Sequence, residues 1–204
     1  MKSMLKDAAI LFAITVIAGL ALGFVYQVTK APIAQQEIKA KNEACAEVFK
    51  EADSFVPYEA YTAEGAVQVL EAAGLPEESI EEVMTAVDAA GTPLGYVITV
   101  VTHEGYGGDI KFTMGVQLDG TMNGLSILSI SETAGLGMKA DTDAFKAQWM
   151  NKQVDSFEYT KSGATADNQI DAISGATITT NAVTNGVNAG LAYFKSIEGG
   201  AQNE

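Results

Sequence analysis

A run of small and polar residues from Asp171 to Thr177, with the sequence Asp-Ala-Ile-Ser-Gly-Ala-Thr, leads directly into a predicted helix. The N-terminus of a helix gathers unpaired N–H groups and the positive end of the helix dipole, so it favours a bound phosphate group. Thr177 would add a hydroxyl group on the loop side of that end. The segment therefore predicts a phosphate site, although a capped turn without any ligand fits the same residues.

The helix after this segment is indicated by the spacing of its apolar residues. They recur every three or four positions, as on one helix face: Val183, Val187, Leu191 and Phe194. The predicted N-cap is one of three polar residues: Thr179, Thr180 or Asn181. Gly186 and Gly190 lie one turn apart, and each costs about 1 kcal/mol relative to alanine. That cost predicts close packing against a sheet or a ligand.

The chain contains a second copy of the same four letters, Ser-Gly-Ala-Thr, at residues 162–165. Six positions before its threonine lies Tyr159, whereas Asp171 lies six positions before Thr177. Only the second copy has an acidic residue before it and a helix behind it. We therefore expect the chemistry at Thr177 and not at Thr165.

Charge and composition exclude several functions. The chain of 204 residues has 12 lysines, no arginine, 26 acidic residues and a net charge of −14, which excludes a nucleic-acid partner. Without arginine, a phosphate must be held by backbone N–H groups, hydroxyls, a lysine or an ester bond. No glycine-rich dinucleotide loop is present. Cys45 is the single cysteine, so neither an internal disulfide nor a cysteine-ligated iron–sulfur cluster is possible, and we expect it to be a buried helix residue.

The N-terminal residues 1–30 predict a transmembrane anchor. Residues 8–26 include Thr15 as their one polar residue and are long enough to cross ~30 Å of hydrocarbon. Lys2 and Lys6 precede this run, so we predict a single pass through the cell membrane, with a cytoplasmic N-terminus and an extracytoplasmic C-terminal domain. A cleaved signal peptide is the alternative, but the apolar run exceeds the usual length.

The anchor also carries a seam of small residues at every fourth position: Thr15, Gly19 and Gly23. Such a seam lets a second membrane helix approach closely. Pro32 is expected to end or kink the span at the water interface.

The remaining chain predicts an α+β fold. Residues 31–55 form an amphipathic stalk helix with a narrow apolar stripe, residues 56–197 form the domain, and residues 198–204 form a flexible tail. Residues 53–79 are predicted to be loop-rich. Four strands of a twisted, mainly antiparallel sheet follow: 83–87, 94–102, 110–118 and 124–131, with a hairpin turn at Asp119-Gly120. A short helix with Asp141 or Thr142 as its cap is predicted over 141–152, and it buries Phe145 and Trp149.

Two further loops offer candidate contacts. Residues 105–108 read Gly-Tyr-Gly-Gly, and residues 131–137 read Ser-Glu-Thr-Ala-Gly-Leu-Gly. Glycines let a backbone approach a flat ring without Cβ clashes, and Glu132 and Thr133 would add polar groups at its edge. Ordinary hairpin loops are the alternative. His103 has no second histidine to complete a metal triad, so no metal site is predicted.

The pattern Asp-x-x-Ser-Gly-Ala-Thr, continued by Ile-Thr-Thr-Asn-Ala-Val, resembles the segment that carries flavin mononucleotide (FMN) in two families. These are the RnfG proteins of the Rnf electron-transport complex and the NqrC proteins of the sodium-pumping NADH:quinone oxidoreductase. The resemblance implies an FMN-binding domain with FMN joined by a phosphoester to Thr177. It further implies that a separate flavin transferase attaches the FMN, and that Asp171 serves that enzyme's recognition or a magnesium ion.

The resemblance extends to both glycine loops and to Thr29–Ile33, with Ala134 in place of a usual proline. The flavin contacts that it implies are, besides Thr177, the following residues: Ser174, Gly175, Ala176, Glu132, Thr133, Gly135, Leu136, Gly137, Tyr106, Gly107 and Thr180. An aromatic at the position of Trp149 could flank the flavin ring, although core packing is favoured.

The implied function is membrane-anchored electron transfer in an ion-pumping ferredoxin:NAD⁺ oxidoreductase. Its partners would be the other membrane and iron–sulfur subunits of that complex. No catalytic residue is assigned, because the chain lacks sites for NAD and ferredoxin and is therefore an incomplete enzyme alone. The alternatives are an NqrC-like component of the quinone-reducing complex, or a non-redox membrane anchor or assembly protein whose Ser-Gly-Ala-Thr is only a turn.

Overall fold

A computed structural model describes residues 2–201, with side chains from residue 4 to residue 198. The chain divides into two compact units, residues 1–40 and residues 41–204. The described residues of the first unit all belong to helix α1 (Lys2–Val48). In the described part of the chain, α1 is the one helix long and apolar enough to cross a membrane. Its large apolar side chains between Met4 and Val28 are exposed in the isolated chain, as a lipid-facing helix requires.

Of the two alternatives predicted for Pro32, an end of the helix is wrong, because α1 continues through Pro32 to Val48. Proline removes one backbone hydrogen bond and its ring crowds the carbonyl group four residues earlier, so a helix passes through it at a cost of ~3 kcal/mol or more. The sequence from Ile33 onward is rich in good helix formers, which favour continuation.

The second unit is built on five antiparallel strands that pair in chain order: β1 (Ser54–Pro57), β2 (Glu78–Val87), β3 (Pro93–Thr102), β4 (Ile110–Gln117) and β5 (Met122–Ser129). This sheet confirms the predicted α+β class and the four predicted strands. The turn at Asp119-Gly120 is confirmed as well, since the Asp119 carboxylate accepts the Thr121 N–H at 2.8 Å and Gly120 has a φ of 86°.

Helices cover both faces of this sheet. Helix α2 (Ala63–Ala72) and helix α4 (Thr177–Ala201) pack against each other on one face, where α2 contacts β2 and α4 lies over the β4 residues Phe112 and Met114. Residues from the C-terminal end of α1 cover the other face, where Cys45, Val48 and Phe49 pack with apolar residues of β2 and β3. The prediction that Cys45 is a buried helix residue is therefore confirmed.

The prediction that residues 53–79 are loop-rich is wrong. They contain β1, α2 and the start of β2. Helix α2 begins after Thr62, whose hydroxyl accepts the Gly65 N–H at 3.1 Å, and it buries Ala66 and Leu70 at a spacing of four residues. Both signals are visible in the sequence, an N-cap and an apolar pair on one face.

The predicted helix over 141–152 is also wrong in form. The chain makes a 3₁₀ turn at Gly137–Asp141, a single α turn α3 (Asp143–Lys146) and another 3₁₀ turn at Ala147–Trp149. Thr142 is extended, with φ −81° and ψ 147°, and it is the N-cap residue of α3, which confirms one of the two predicted caps. The predicted burial of Phe145 and Trp149 is confirmed, with their rings 5.9 Å apart in an edge-to-face arrangement.

A small parallel pair of strands, β6 (Glu158–Thr160) and β7 (Gln169–Asp171), leads into the segment before α4. Helix α4 continues to Ala201, so residues 198–201 of the predicted flexible tail are helical. The rest of that tail, residues 202–204, lies outside the described residues.

Candidate functional site

The helix that follows the Asp171–Thr177 segment begins at Thr177 itself. The predicted N-cap at Thr179, Thr180 or Asn181 is therefore wrong, because these residues lie inside the first turns of α4. Gly175, with a φ of 78°, adopts the left-handed conformation that turns the chain into the helix early. The unpaired N–H groups of the first turn consequently lie at residues 177–179, next to the Thr177 hydroxyl.

A cleft of about 620 Å³ opens at this helix N-terminus. Two loops and the first turn of α4 line it: Tyr106, Glu132, Thr133, Leu136, Gly137, Gly175, Ala176, Thr177, Ile178 and Thr179. The three sequence segments predicted to form one site therefore do meet in space. Thr177 is half-buried at this cleft, and its hydroxyl makes no hydrogen bond to another described residue.

Glu132 connects the two loops beneath the cleft. Its side chain is buried, and its Oε1 accepts the Gly107 N–H at 3.3 Å. On its other side a Cβ at Gly137 would lie 2.6 Å from both the Glu132 Oε2 and the Thr179 Oγ1. Gly137 is thus required by packing within the cleft wall, which is a different reason from the approach of a flat ring expected from the sequence.

Three apolar side chains stand at the mouth of the cleft. Tyr106 is 72% exposed, Leu136 42% and Ile178 53%. A Cβ on Gly175 would lie 3.1 Å from the Leu136 Cδ2, so the Leu136 loop and the turn before α4 touch directly. Exposed apolar side chains around a concave site with few polar groups are typical of a ligand pocket.

Four residues predicted as contacts do not line the cleft: Ser174, Gly135, Gly107 and Thr180. Gly107 instead donates to Glu132, and Gly135 has a φ of 78° within its turn. The buried Thr180 hydroxyl accepts the Ile173 N–H and donates to the Ala176 carbonyl oxygen, both at 3.0 Å. These residues shape the loops that carry the cleft.

Asp171 lies outside the cleft as well. Its Oδ1 accepts the Ala164 N–H at 2.6 Å, inside the upstream copy of Ser-Gly-Ala-Thr. In that copy the Thr165 N–H and hydroxyl both donate to the Gln169 Oε1, at 3.0 and 3.1 Å. The two copies are therefore joined by one carboxylate, and only the downstream threonine reaches the cleft.

Sequence reasoning missed Ile178 and Thr179 as cleft residues. Their position directly after Thr177 was an available signal, because the first turn of a helix faces whatever its N-terminus binds. Trp149 is fully buried between Phe145 and Phe157, so the favoured prediction of core packing is confirmed. His103 pairs with Asp109 at 2.9 Å.

Comparison with known proteins decides the family. The model for the FMN-binding domain matches residues 105–192, and the model for the RnfG N-terminal region matches residues 1–48. The G component of the Na⁺-translocating ferredoxin:NAD⁺ oxidoreductase complex of Acetobacterium woodii is 30% identical over 200 residues, which cover 96% of this chain and 94% of that protein. The chain belongs to the RnfG family.

A second relative of this RnfG-family chain is also matched over nearly its whole length. The G component of the proton-translocating ferredoxin:NAD⁺ oxidoreductase complex of Clostridium ljungdahlii is 29% identical, with 96% of this chain and 97% of that protein covered. The crystal structure of Shewanella oneidensis NqrC is 20% identical and matches with a TM-score of 0.49 over 57% of this chain and 60% of that one.

Family membership confirms the predicted family, the FMN-binding domain and the class, a component of an ion-translocating oxidoreductase. The FMN-binding match contains every residue that lines the cleft. Membership of the RnfG family and the apolar helix α1 together indicate that the chain is anchored to a membrane.

Proposed function

We propose that this chain is a membrane-anchored electron carrier of an ion-translocating ferredoxin:NAD⁺ oxidoreductase complex, with FMN joined to Thr177 by a phosphoester. The observation that carries the proposal is the position of Thr177. It lies within the FMN-binding match, at the first residue of α4, and it faces the cleft.

The local chemistry at Thr177 fits a phosphodiester. Such a group keeps one negative charge, and the N–H groups at the start of α4 and the positive end of its dipole stabilise that charge. The chain has no arginine to clamp a free phosphate, so a covalent ester supplies the attachment that side chains do not. The Thr177 hydroxyl has no competing hydrogen bond among the described residues, so it is available for esterification.

The shape of the cleft fits a flat, mostly apolar ring. Tyr106, Leu136 and Ile178 would cover its faces, and Glu132, Thr133 and Thr179 would meet its polar edge. FMN, when bound, supplies the one- and two-electron chemistry, and the protein orients it. Gly107, Gly135, Ser174 and Thr180 would act by holding the two loops and the turn in place.

The orientation follows from charge. Lys2 and Lys6 flank the apolar part of α1 on its N-terminal side, so we propose a cytoplasmic N-terminus and an extracytoplasmic FMN domain. A covalent bond would retain the cofactor in that compartment. The proposed partners are the other membrane and iron–sulfur subunits of the complex, together with a flavin transferase that recognises the segment around Asp171.

The test is the intact mass and visible spectrum of the full chain co-expressed with a flavin transferase. The wild type is compared with Thr177→Val and with Thr165→Val, which removes the same hydroxyl from the upstream copy. We expect a mass gain of FMN less water in the wild type and in Thr165→Val, and none in Thr177→Val. A colourless wild type beside an active transferase would leave a non-redox anchor or assembly protein as the better account.

A further inference from the structure

Glu78, the first residue of β2, is a buried carboxyl group outside the cleft. Its side chain is 6% exposed, and its Oε1 accepts a hydrogen bond from the Thr102 hydroxyl at 3.1 Å. Its Oε2 is buried and has no hydrogen-bond partner among the described residues. A buried carboxylate oxygen without a donor is costly, because it has lost its water and gained nothing in exchange.

A second carboxyl group, that of Glu104, lies in the loop after β3. Its Oε2 accepts the Asn185 Nδ2 at 2.5 Å, and its N–H donates to the Thr102 hydroxyl at 3.3 Å. The Thr102 hydroxyl therefore links both residues. The next residue of α4, Gly186, lies beside them, since a Cβ there would be 3.5 Å from the Glu78 Oε2.

The surroundings of Glu78 contain acceptors and like charges. The charged groups that face it are Glu104 from the loop and Glu77 from the position before its own strand, while α4 contributes the neutral Asn185 and Gly186. His103 does not compensate them, because its ring nitrogens contact Asp109 and Ser79. Burial raises the pKa of Glu78 to about 8, and the charge and hydrogen bond of Glu104 and the charge of Glu77 act in the same direction. The hydrogen bond from Thr102 opposes this shift.

We propose that Glu78 and Glu104 hold one proton between them, and that this carboxyl–carboxylate pair fastens the loop of Tyr106 and Gly107 to helix α4. A proton on the Glu78 Oε2 turns an unpartnered acceptor into a donor toward the Glu104 carboxylate. Glu104 then keeps its bond to Asn185, which lies two helical turns after Thr177. Two facing acceptors become one charge-assisted hydrogen bond, which is about twice as strong as a neutral one.

The pair is a positioning device for the cleft. Glu104 is two residues from Tyr106, which lines the cleft, and a Cβ on Gly105 would lie 3.1 Å from the Glu132 Oε1 in the cleft wall. When the proton leaves to water, two like charges, one on the buried Glu78 and one on the half-buried Glu104, face each other and repel. Glu104 can relieve that repulsion only by moving outward, which releases its loop from α4. This inference concerns the polypeptide and does not depend on the attached flavin.

The test uses the full chain in detergent without flavin. Infrared difference spectra across a pH titration report the C=O band of a protonated carboxylic acid, and hydrogen–deuterium exchange, corrected for the intrinsic effect of pH, reports residues 103–109. The variants are Glu78→Gln and Glu104→Gln, with Glu77→Gln as the matched control, since Glu77 is the exposed residue directly before Glu78.

We expect the wild type to show a carboxylic acid band that disappears near pH 8, with faster exchange of residues 103–109 at the same midpoint. Glu77→Gln should keep both the band and the coupled exchange, with a midpoint slightly below that of the wild type, because the Glu77 charge is the smallest of the effects that raise the pKa of Glu78. Glu78→Gln should lack the band and keep the loop protected at all pH values, because its amide donates permanently to Glu104. Glu104→Gln, which offers Glu78 a donor, should lose the band at lower pH. A wild type without that band at neutral pH, a band that survives in Glu78→Gln, or loop exchange that ignores pH would each overturn the proposal.

Discussion

The hydroxyl of Thr180 accepts a hydrogen bond from the Ile173 N–H at 3.0 Å and donates to the Ala176 carbonyl oxygen at the same distance. One side chain in the first turn of α4 therefore closes the loop that precedes it. The enclosed residues, Ser174 and Gly175, turn the chain so that Thr177 starts the helix at the cleft. Thr180 thus acts on the proposed attachment site without lining it.

Thr180→Val should destabilise the domain by about 1–3 kcal/mol, because the buried Ile173 N–H loses its acceptor. Thermal unfolding of the full chain in detergent measures this effect, and the yield of covalent flavin should fall with it. Thr184→Val is the control, since the Thr184 hydroxyl is also buried but only donates to the Thr180 carbonyl oxygen within the helix. Equal losses in the two variants would refute a special role for Thr180.

Gly186→Ala should destabilise the domain, although alanine is the better helix former by about 1 kcal/mol. A Cβ at this position would lie 2.9 Å from two ring atoms of Phe112, and overpacking of this kind typically costs about 1–3 kcal/mol. The measurement is a double-mutant cycle with Phe112→Leu, in which the smaller side chain should relieve part of the loss. Strictly additive effects would show that the ring is not what opposes the methyl group.

The stability of the domain should fall as the pH rises from about 4.5 to about 8. The folded state raises the pKa of Glu78 from 4.5 to about 8, so within this range it holds a proton that the unfolded chain has released. The effect is on the order of a few kcal/mol. Glu78→Gln should flatten this part of the pH profile, whereas Glu77→Gln should leave its slope in place. Unfolding free energies that are equal at pH 5 and pH 8 in the wild type would contradict the expectation.

Asp171→Asn should keep the upstream loop in place and yet lower the yield of covalent flavin. The asparagine oxygen can still accept the Ala164 N–H, but the negative charge proposed for transferase recognition is lost. Hydrogen exchange at residues 162–165 and intact mass after co-expression measure the two effects separately. Asp171→Ala should lose both the hydrogen bond from the Ala164 N–H and the negative charge, so both measurements should change. Full flavin attachment in Asp171→Asn would show that the residue acts through its hydrogen bond and not through its charge.

The four long strands β2 to β5 were predictable because their signal is local, whereas the short strands β1, β6 and β7 were not predicted. Each predicted strand is rich in β-branched residues that fit a pleated, half-buried surface. The close packing of Gly186 and Gly190 was predictable as well. A Cβ at Gly186 would clash with Phe112, and one at Gly190 would clash with Met114. A glycine within a helix is costly enough that its presence alone indicates a neighbour.

The start of α4 could not be placed from local signals. A threonine before an apolar stripe is a good N-cap, and the sequence offers several. The structure begins the helix earlier, because the Thr180 side chain bonds to residues upstream of the helix and Gly175 supplies a positive φ. The single helix predicted over 141–152 was wrong in length, because α3 is followed at once by a 3₁₀ turn, although Thr142 does lie at the N-cap position, as one of the two predicted caps.

The two identical Ser-Gly-Ala-Thr tetrapeptides have different surroundings in the fold. Asp171, which precedes the downstream copy, accepts a hydrogen bond from Ala164 in the upstream copy. An enzyme that recognised only Ser-Gly-Ala-Thr would meet two competing substrates on one chain. The upstream threonine already donates its hydroxyl to Gln169, while the downstream one heads a helix and faces an open cleft. The folded structure would then select the correct copy. The domain would have to fold before the cofactor is attached, because the unfolded chain offers both threonines equally.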